Sequence, residues 1–199
     1  NAFLLIVAVG MTFVILTGGI DLSVGAVVAF TTVLLASLVE KHGWHPLAAI
    51  PLVLAIGTGF GALMGVLIER YRLQPFVVTL AGMFLARGAA TLVSVDSIGI
   101  SHAFHVELAS MRVPLGGGAS LSVAALLAIA VVVAGVVLAG STRFGRTVYA
   151  IGGSEQSAAL MGLPVDATLI KVYALSGFCS ALAGVVYTFY MLSGYSLHG

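Results

Sequence analysis

The sequence contains one polar group that stands out from its surroundings, at residues 18–25. Asp21 and Ser23 follow two glycines, Gly18 and Gly19, and long apolar runs flank the group on both sides. A carboxylate and a break in regular backbone are tolerated at membrane depth only inside protein or beside a water-filled cavity. If the flanking runs span a membrane, the carboxylate must therefore bind a partner or line a polar cavity.

Arg87 is a second isolated charge, because it lies in the middle of the apolar stretch 83–90. An arginine at the centre of a spanning helix costs about 2.5–3.5 kcal/mol on insertion scales, so it should face the bundle interior or a cavity and bind a partner. Asp21 is the candidate partner, as the only acidic residue near a predicted membrane boundary in the first two apolar segments. Two roles stay open for the pair: an ion pair that fixes the bundle, and a polar lining for a transport path.

Four of the five histidines form two pairs at a spacing of three residues, His42 with His45 and His102 with His105. Two imidazoles on one helical turn can bind zinc, which would fit metal uptake. The sequence places no third or fourth ligand beside them, and the single cysteine, Cys179, lies in an apolar run. Solvated loop histidines are the commoner situation, so we expect no metal site.

The sequence carries no recognisable catalytic arrangement. A phosphate-binding loop requires Gly-Lys-Ser/Thr, whereas Lys41 follows a glutamate and Lys171 follows an isoleucine. No Ser-His-Asp set and no pair of carboxylates stands out. We therefore expect neither enzyme activity nor a cofactor in this chain.

The composition indicates that these residues lie in a membrane protein and not in a water-soluble one. Hydrophobic residues make up 60% of the chain and charged residues 8%, whereas soluble domains carry about 25% charged residues. Six apolar runs approach the ~20 residues needed to cross a bilayer. They are residues 2–17, 24–39, 46–68, 75–95, 121–140 and 168–192. The sequence thus predicts an all-α fold, a polytopic transmembrane helical bundle with about six spanning segments.

Lysine and arginine in the short loops predict the orientation of the chain. Five lie on one side and two on the other: Arg70, Arg72, Arg143, Arg146 and Lys171 against Lys41 and Arg112. Because basic residues favour cytoplasmic loops, residues 69–74 and 141–167 are predicted to be cytoplasmic. Residues 40–45 and 96–119 then face outward, and by alternation residues 18–23 fall toward the cytoplasmic side.

Small residues at a spacing of four predict close packing between helices. The two sets are Gly57, Gly61 and Gly65 in the third segment and Ser176, Ser180 and Gly184 in the last. Helix association in lipid depends on such faces, because they let two backbones approach each other closely.

The predicted cytoplasmic loop 141–167 contains a second candidate functional element. Ser154 can cap a short helix at residues 155–161, with Glu155 in the first turn, where its charge suits the helix dipole. Gly162 and Pro164 would end this helix. It would expose a small apolar group, formed by Ala158, Ala159, Leu160 and Met161. A surface that docks to a partner and a helix that lies on the lipid surface are both open.

Three stretches resemble, in the same order, the membrane permeases of bacterial monosaccharide ABC importers, the ribose/xylose/arabinose/galactose group. They are GMTFVILTGGIDLSVG at residues 10–25, TLAGM at 79–83 followed by Arg87 and Gly88, and RFGR at 143–146 followed by YAIGGSE at 149–155, Ala158, Ala159 and Gly162. The resemblance covers essentially the whole chain. Within the group it is greatest to galactofuranose-type permeases, which work as a pair of unlike permeases.

The resemblance implies a multi-pass permease subunit of the bacterial inner membrane that imports a monosaccharide, with galactofuranose as a candidate, by alternating access. The implied partners are a second permease, alike or unlike, a cytoplasmic protein that binds and hydrolyses ATP, a periplasmic sugar-binding protein and membrane lipid, with no nucleic acid. Residues 1–199 would form a single permease domain, incomplete at both ends, with 141–167 as its coupling loop.

The resemblance also implies roles for two groups of residues. The signature or translocation path would include Gly18, Gly19, Asp21, Ser23 and Arg87. The coupling helix that docks into the ATPase would include Ser154, Glu155, Ala158, Ala159, Leu160 and Gly162.

Several alternatives stay open. The chain could belong to an ABC permease for branched-chain amino acids or metal ions, to an ion-coupled secondary transporter with Asp21 as its ion site, or to a purely structural membrane subunit. Asp21 could contact sugar, pair with Arg87, or cap the helix that begins near Val24. Capping is the most economical role, since Asp21 or Ser23 would satisfy orphan N–H groups where water is scarce.

Overall fold

The computed structural model describes residues 1–116 and 119–196, and nine helices dominate this part of the chain. The helices are α1 (Ala2–Leu16), α2 (Val24–Ala36), α3 (Pro46–Tyr71), α4 (Pro75–Val93), α5 (Ala103–Ser110), α6 (Val123–Ser141), α7 (Arg143–Gly153), α8 (Glu155–Leu160) and α9 (Val165–Met191). A π-helical turn, Ser37–Lys41, continues α2. Two short antiparallel strand pairs complete the fold: β1 (Ile98–Gly99) with β4 (Ser193–Gly194), and β2 (Arg112–Gly116) with β3 (Ala119–Ser122).

Five of these helices are long and apolar enough to cross a membrane. They are α2 with its π-helical turn, α3, α4, α6 and α9, and α1 is a shorter apolar helix of 15 residues. Each of the six predicted segments overlaps one of these helices, with ends that differ by at most three residues. The predicted all-α, polytopic helical bundle is therefore confirmed.

Local chemistry explains where several helices begin. Proline occupies the first position of α3 and of α4, where its missing N–H would have had no helical partner. The His45 side chain accepts a hydrogen bond from the Leu47 amide at the start of α3, and the Ser122 hydroxyl accepts one from the Ala125 amide in α6. These residues satisfy donors that the first turn of a helix leaves free.

The helix α9 forms the centre of the bundle. In its most apolar window 67% of the residues are buried, against 11% in α6. The helices α1, α2 and α3 all pack against α9, whereas α6 packs mainly on α1. Elements that contact α9 are therefore connected to one another through it.

The predicted glycine face of α3 does pack closely, and its partner is α9. A methyl group added at Gly57 would lie 2.5 Å from the Ala181 Cβ, and one added at Gly65 would lie 2.9 Å from the Ile170 Cα. At Gly61 the methyl group would clash with the Tyr173 carbonyl oxygen. The two backbones are thus too close for any side chain larger than hydrogen.

The predicted small-residue face of α9 packs on the other side, against α1 and α2. A methyl group at Gly184 would lie 2.8 Å from the Thr31 Cβ in α2. The Ser176 Cα lies 3.1 Å from the Cβ position of Gly10 in α1, and Ser180 is buried beside it. Both sets of small residues therefore serve helix packing, as predicted.

Contacts between loops agree with the predicted grouping of the two sides. The Glu40 carboxylate accepts hydrogen bonds from the backbone amides of Ser101 and His102, at 2.6 and 3.0 Å. On the opposite side, Arg72 reaches Glu155 and Asp166. We call these the outer and the inner side, respectively.

The outer loop is more ordered than the sequence indicated. The sequence predicted only that the range 96–119 faces outward, and the structure shows that it contains α5 and the strand β2. His105 of α5 is fully buried against α9, where its Nε2 lies 3.2 Å from the Thr188 hydroxyl. The expectation of a solvated loop histidine is therefore wrong for His105, because α5 folds back onto the bundle.

Candidate functional site

The polar stretch between α1 and α2 forms a break inside the bundle. The first helix ends at Leu16, and Gly18 adopts a left-handed backbone with φ of +75°, which favours glycine. Residues 19–23 are not helical, and α2 begins at Val24. The sequence thus placed this break correctly between two apolar helices.

Side chains in the break alternate between the bundle and its surface. Asp21 and Ser23 are 2% and 1% exposed, whereas Ile20 and Leu22 are 46% and 36% exposed. The break therefore buries its two polar side chains and presents its two apolar ones outward.

Hydroxyl and amide groups satisfy the Asp21 carboxylate. Its Oδ1 accepts hydrogen bonds from the Ser23 amide at 2.9 Å and from the Ser23 hydroxyl at 2.7 Å. Its Oδ2 accepts one from the Ser176 hydroxyl of α9, also at 2.7 Å. Asp21 therefore secures the residue that precedes α2 and ties the break to the central helix.

This geometry refines the capping hypothesis. Ser23 occupies the N-cap position of α2, but its side chain makes no capping hydrogen bond. It donates to Asp21 instead, while Asp21 accepts from the amide of Ser23 itself. The carboxylate thus holds the cap residue in place and does not bond to the first turn of the helix.

Two further helices hold the backbone of the break. The Tyr173 hydroxyl of α9 donates a 3.4 Å hydrogen bond to the Ile20 carbonyl, and the Thr79 hydroxyl of α4 lies 3.3 Å from the same oxygen. A methyl group at Gly19 would lie 2.7 Å from the Tyr173 hydroxyl oxygen. A side chain at the second glycine of the stretch would therefore have to displace Tyr173.

Arg87 lies away from this cluster. It is on the same helix as Thr79 but two turns further along, about 12 Å in axial distance. The three ion pairs among the described residues all involve Arg72, and an Asp21–Arg87 pair is not one of them. The predicted pairing is thus replaced by the contacts of Asp21 with Ser23 and Ser176.

A cavity of about 290 Å³ connects the break with the inner surface. Its lining includes Thr17, Gly18, Gly19, Glu69, Arg72 and Glu155. One wall therefore belongs to the break and another to the start of α8. The two candidate elements that the sequence indicated separately lie beside the same cavity.

Arg72 joins three helices around this cavity. It ends α3 with a left-handed φ of 52°, and its guanidinium lies 3.4 Å from the carboxylates of Glu69, Glu155 and Asp166. Glu69 is 7% exposed, while Arg72 and the other two acids are more than half exposed. The network links α3 to α8 and to the first turn of α9.

The short helix α8 has the predicted start and end. The Ser154 hydroxyl accepts a hydrogen bond from the Ser157 amide, and Glu155 lies in the first turn. Gly162 follows the helix with a left-handed φ of +75°, as expected of a residue that ends a helix. The prediction of a capped helix here is confirmed, one residue shorter than expected.

One of the four residues expected to form its exposed apolar group is buried. Ala158 is fully buried and packs with Ile151, Val165 and Leu169. Leu160 and Met161 are 90% and 67% exposed, and Ala159 is also exposed. The inward face thus anchors α8, and the free apolar surface consists of Ala159, Leu160 and Met161.

Sequence reasoning missed α7, which precedes α8 in the inner loop. The Thr142 hydroxyl caps it by accepting from the Gly145 amide at 3.1 Å. Buried Val148 and Ile151 recur at helical spacing, and this pattern together with Thr142 could have revealed the helix. A methyl group at Gly152 would clash with the Leu16 carbonyl oxygen, so α7 packs against the end of α1 beside the break.

The histidines provide little support for a metal site. No group of three or more His, Cys, Asp or Glu residues that could hold a metal ion occurs within residues 1–116 and 119–196. The His42 ring lies 3.0 Å from the Ser37 carbonyl, while His45 caps α3. The rings of His45 and His102 pack edge to face, 5.2 Å apart. These side chains bind backbone groups or one another.

Comparison with known proteins identifies the family. A family model described as branched-chain amino acid transport system / permease component matches residues 2–197. The chain belongs to this family. With five apolar helices of spanning length, it is a multi-pass protein of the bacterial inner membrane.

Curated relatives match nearly the whole chain. The inner membrane ABC transporter permease protein YjfF of Escherichia coli K12 is 53% identical over 100% of the chain and 60% of its own length. The fructose import permease protein FruG of Bifidobacterium longum is 45% identical over 94% of the chain and 57% of its own length. The ribose import permease protein RbsC of Haemophilus influenzae is 41% identical over 92% of the chain and 56% of its own length.

The chain therefore spans little more than half the length of these relatives. No solved structure matches it. The resemblance to permeases of monosaccharide importers, which the three sequence stretches indicated, is confirmed.

Proposed function

We propose that this chain is part of a permease subunit of an ABC importer that moves a monosaccharide across the bacterial inner membrane. The observation that carries the proposal is α8: a capped helix with exposed Leu160 and Met161, connected to the break between α1 and α2 through one cavity. Such a helix is suited to dock onto a cytoplasmic ATP-hydrolysing protein. The names of FruG and RbsC, which import fructose and ribose, support a sugar as the substrate.

The contacts of α8 suggest how motion could reach the bundle. Ala158 packs on Val165 and Leu169 at the start of α9, and Arg72 ties Glu155 to α3. Both α3 and α9 are held at backbone contact by their glycines. A displacement of α8 would therefore move α3 and α9 together as a rigid pair, because tightly packed elements transmit strain.

The break is the part of this bundle that can respond to such motion. Asp21 and Tyr173 connect it to α9, and Thr79 lies against it from α4. Its backbone lacks helical hydrogen bonds, so small shifts of α9 against α4 would change its shape. During alternating access the break would then act as a gate beside the sugar path. Gly18, Gly19 and Arg87 are further candidate residues of this path.

The partners follow from this proposal. ATP would bind to a separate cytoplasmic protein that docks on α8, and this chain would bind no cofactor and hydrolyse no ATP. A second permease, alike or unlike, would complete the path, and a periplasmic protein would deliver the sugar. Galactofuranose remains the candidate sugar within this group of permeases.

A substitution at Leu160 tests the docking surface. Replacing Leu160 with Asn removes apolar surface that is 90% exposed, so folding should be unaffected. Uptake of sugar and ATP hydrolysis stimulated by the permease should both fall at least about tenfold, as expected of a hot spot worth ~1.4 kcal/mol or more. Leu160→Met keeps the apolar surface and should retain both activities. Full coupling in Leu160→Asn would contradict the proposal.

Branched-chain amino acids are the second candidate substrate class, because the family description names them, but they are not favoured, since the relatives that are named for a substrate import fructose and ribose. The two classes can be separated with the periplasmic binding protein that works with this permease. Calorimetric titration with pentoses, hexoses, leucine and valine should give binding only to a sugar. Binding of leucine or valine alone would favour the second candidate.

A further inference from the structure

A basic cavity lies on the inner side, between α7 and the start of α9. Its volume is about 580 Å³, and its lining includes Arg143, Arg146 and Lys171 together with Phe144, Leu163 and Pro164. Among residues 1–116 and 119–196, no acidic residue lines it. It is separate from the cavity beside the break, whose lining shares no residue with it.

The three cations of this cavity have no carboxylate to neutralise them within the described part of the chain. All three ion pairs found there involve Arg72. Arg143 and Arg146 are three residues apart on α7, so they lie on the same side of the helix. A concave site with uncompensated positive charge concentrates anions.

The neutral polar groups of the cavity limit which hydrogen-bond donors are left for a ligand. The Thr147 hydroxyl donates to the Arg143 carbonyl at 2.9 Å, and the Thr168 hydroxyl donates to the Pro164 carbonyl at 2.7 Å. Both hydroxyl protons are therefore in use, and the donors left for a ligand are guanidinium and ammonium groups. These groups match an anion with several acceptor oxygens, such as phosphate.

We propose that this cavity binds the phosphate headgroup of an anionic phospholipid from the cytoplasmic leaflet. The cavity is lined by the start of α7, which follows α6 in the chain, and by the first turns of α9, and both α6 and α9 are long and apolar enough to span a membrane. The adjoining α6 exposes Val133, Val136 and Val137 along its length, which suits contact with acyl chains. Basic pockets between helices on the cytoplasmic side are a recognised form of lipid headgroup site.

A bound headgroup would bridge α7 and α9, the two helices that flank α8 along the chain. Arg143 and Arg146 would hold it from α7, and Lys171 would hold it from α9. The lipid would thus stabilise the positions of α7 and α9, the helices that precede and follow α8. This proposal does not depend on the identity of the transported substrate or on transport itself.

Native mass spectrometry of the full-length permease in detergent tests the proposal. Phosphatidylglycerol and phosphatidylcholine with identical acyl chains serve as the probes. We expect wild-type protein to retain phosphatidylglycerol about tenfold better than phosphatidylcholine. Each basic residue near an anionic surface contributes about fivefold, so the triple variant Arg143→Gln/Arg146→Gln/Lys171→Gln should weaken phosphatidylglycerol binding roughly 100-fold.

Matched variants separate a specific site from general attraction. Arg70→Gln removes one exposed charge on the same side but outside the cavity, and it should leave binding within about twofold of wild type, whereas Lys171→Gln should weaken it about fivefold. The double variant Arg143→Lys/Arg146→Lys keeps the charge and should retain the preference for phosphatidylglycerol. If the triple variant does not fold, the comparison of Lys171→Gln with Arg70→Gln decides the question.

Four results would overturn the proposal. One is equal retention of the two lipids by wild-type protein. A second is an equal loss of binding in Arg70→Gln and Lys171→Gln. The third is displacement of the lipid by millimolar inorganic phosphate, which would identify a site for a soluble anion. If Lys171→Gln instead abolished binding of the ATP-binding protein in detergent without anionic lipid, the cavity would be a protein-docking site and the proposal would fail.

Discussion

Asp21 offers the most informative single perturbation, because two substitutions separate its hydrogen bonds from its charge. Asp21→Asn keeps Oδ1, which accepts from the amide and the hydroxyl of Ser23. The new amide group faces Ser176, whose hydroxyl can turn to accept a hydrogen bond. Asp21→Ala removes all three hydrogen bonds and leaves their donors buried.

The expected magnitudes differ between the two variants. Hydrogen bonds inside membrane proteins contribute about 0.6–2 kcal/mol each, so the loss of three at Asp21→Ala should lower the free energy of unfolding by about 2–6 kcal/mol. Asp21→Asn should cost about 0–1 kcal/mol, because the geometry persists and the cost of burying a charge disappears. Asp96→Ala removes an exposed carboxylate and should change the free energy by less than about 0.5 kcal/mol.

Two measurements on the full-length permease check this reasoning. Thermal unfolding in lipid nanodiscs gives the order of stability, which should be wild type, then Asp21→Asn, then Asp21→Ala. Sugar uptake by cells gives the functional effect, which should be small for Asp21→Asn. An Asp21→Ala variant as stable as wild type would refute the structural role argued for Asp21, and an Asp21→Asn variant as stable as wild type but without uptake would show that the negative charge itself is needed for transport.

Further predictions concern the packing, the inner network and the outer loop. Gly61→Ala should destabilise the protein by about 1–3 kcal/mol through overpacking. Gly59→Ala, with nothing within 4 Å of its added methyl group, should be neutral or stabilising in thermal unfolding. Equal effects of the two substitutions would contradict the packing argument. Arg72→Gln should reduce stimulated ATP hydrolysis and lower the free energy of unfolding by about 1–3 kcal/mol, because its pairs with the exposed Glu155 and Asp166 contribute little but Glu69, which is 7% exposed, loses its partner; unchanged coupling would remove Arg72 from the proposed link. Burial lowers the pKa of His105 below 6.5, an effect that the nearby His102 reinforces and Glu40 opposes. The unfolded state therefore takes up the proton first as the pH falls below 6.5, and the free energy of unfolding should decrease there. His105→Gln should flatten this pH dependence of stability in melting curves between pH 7.5 and 5. An unchanged slope of stability against pH would show that another group controls it.

The sequence predicted those features that depend on residues close together in the chain. Apolar runs identified the spanning helices, and the spacing of Gly57, Gly61 and Gly65 identified a packing face. Ser154 and Gly162 marked the two ends of α8. Caps, helix ends and hydrophobic periodicity act over a few residues, so one sequence is enough to recognise them.

Features that depend on packing between distant segments could not be predicted in this way. Ala158 and Leu160 lie two positions apart on α8, yet one is fully buried and the other is 90% exposed. His105 resembled a solvated loop residue until α5 folded against α9. Burial of a particular side chain depends on which neighbouring element covers it, and that is a property of the whole bundle.

The stretch at residues 18–25 shows what the local sequence determines and what packing between distant segments determines. The sequence by itself determined that a carboxylate and a backbone break lie between two apolar helices, because glycine and aspartate interrupt the run. Only the tertiary structure decided that Asp21 binds Ser176, 155 positions away, and that Arg87 lies two turns from the break. A buried carboxylate binds the donors that packing brings to it, and the close approach of α9 places the Ser176 hydroxyl within reach.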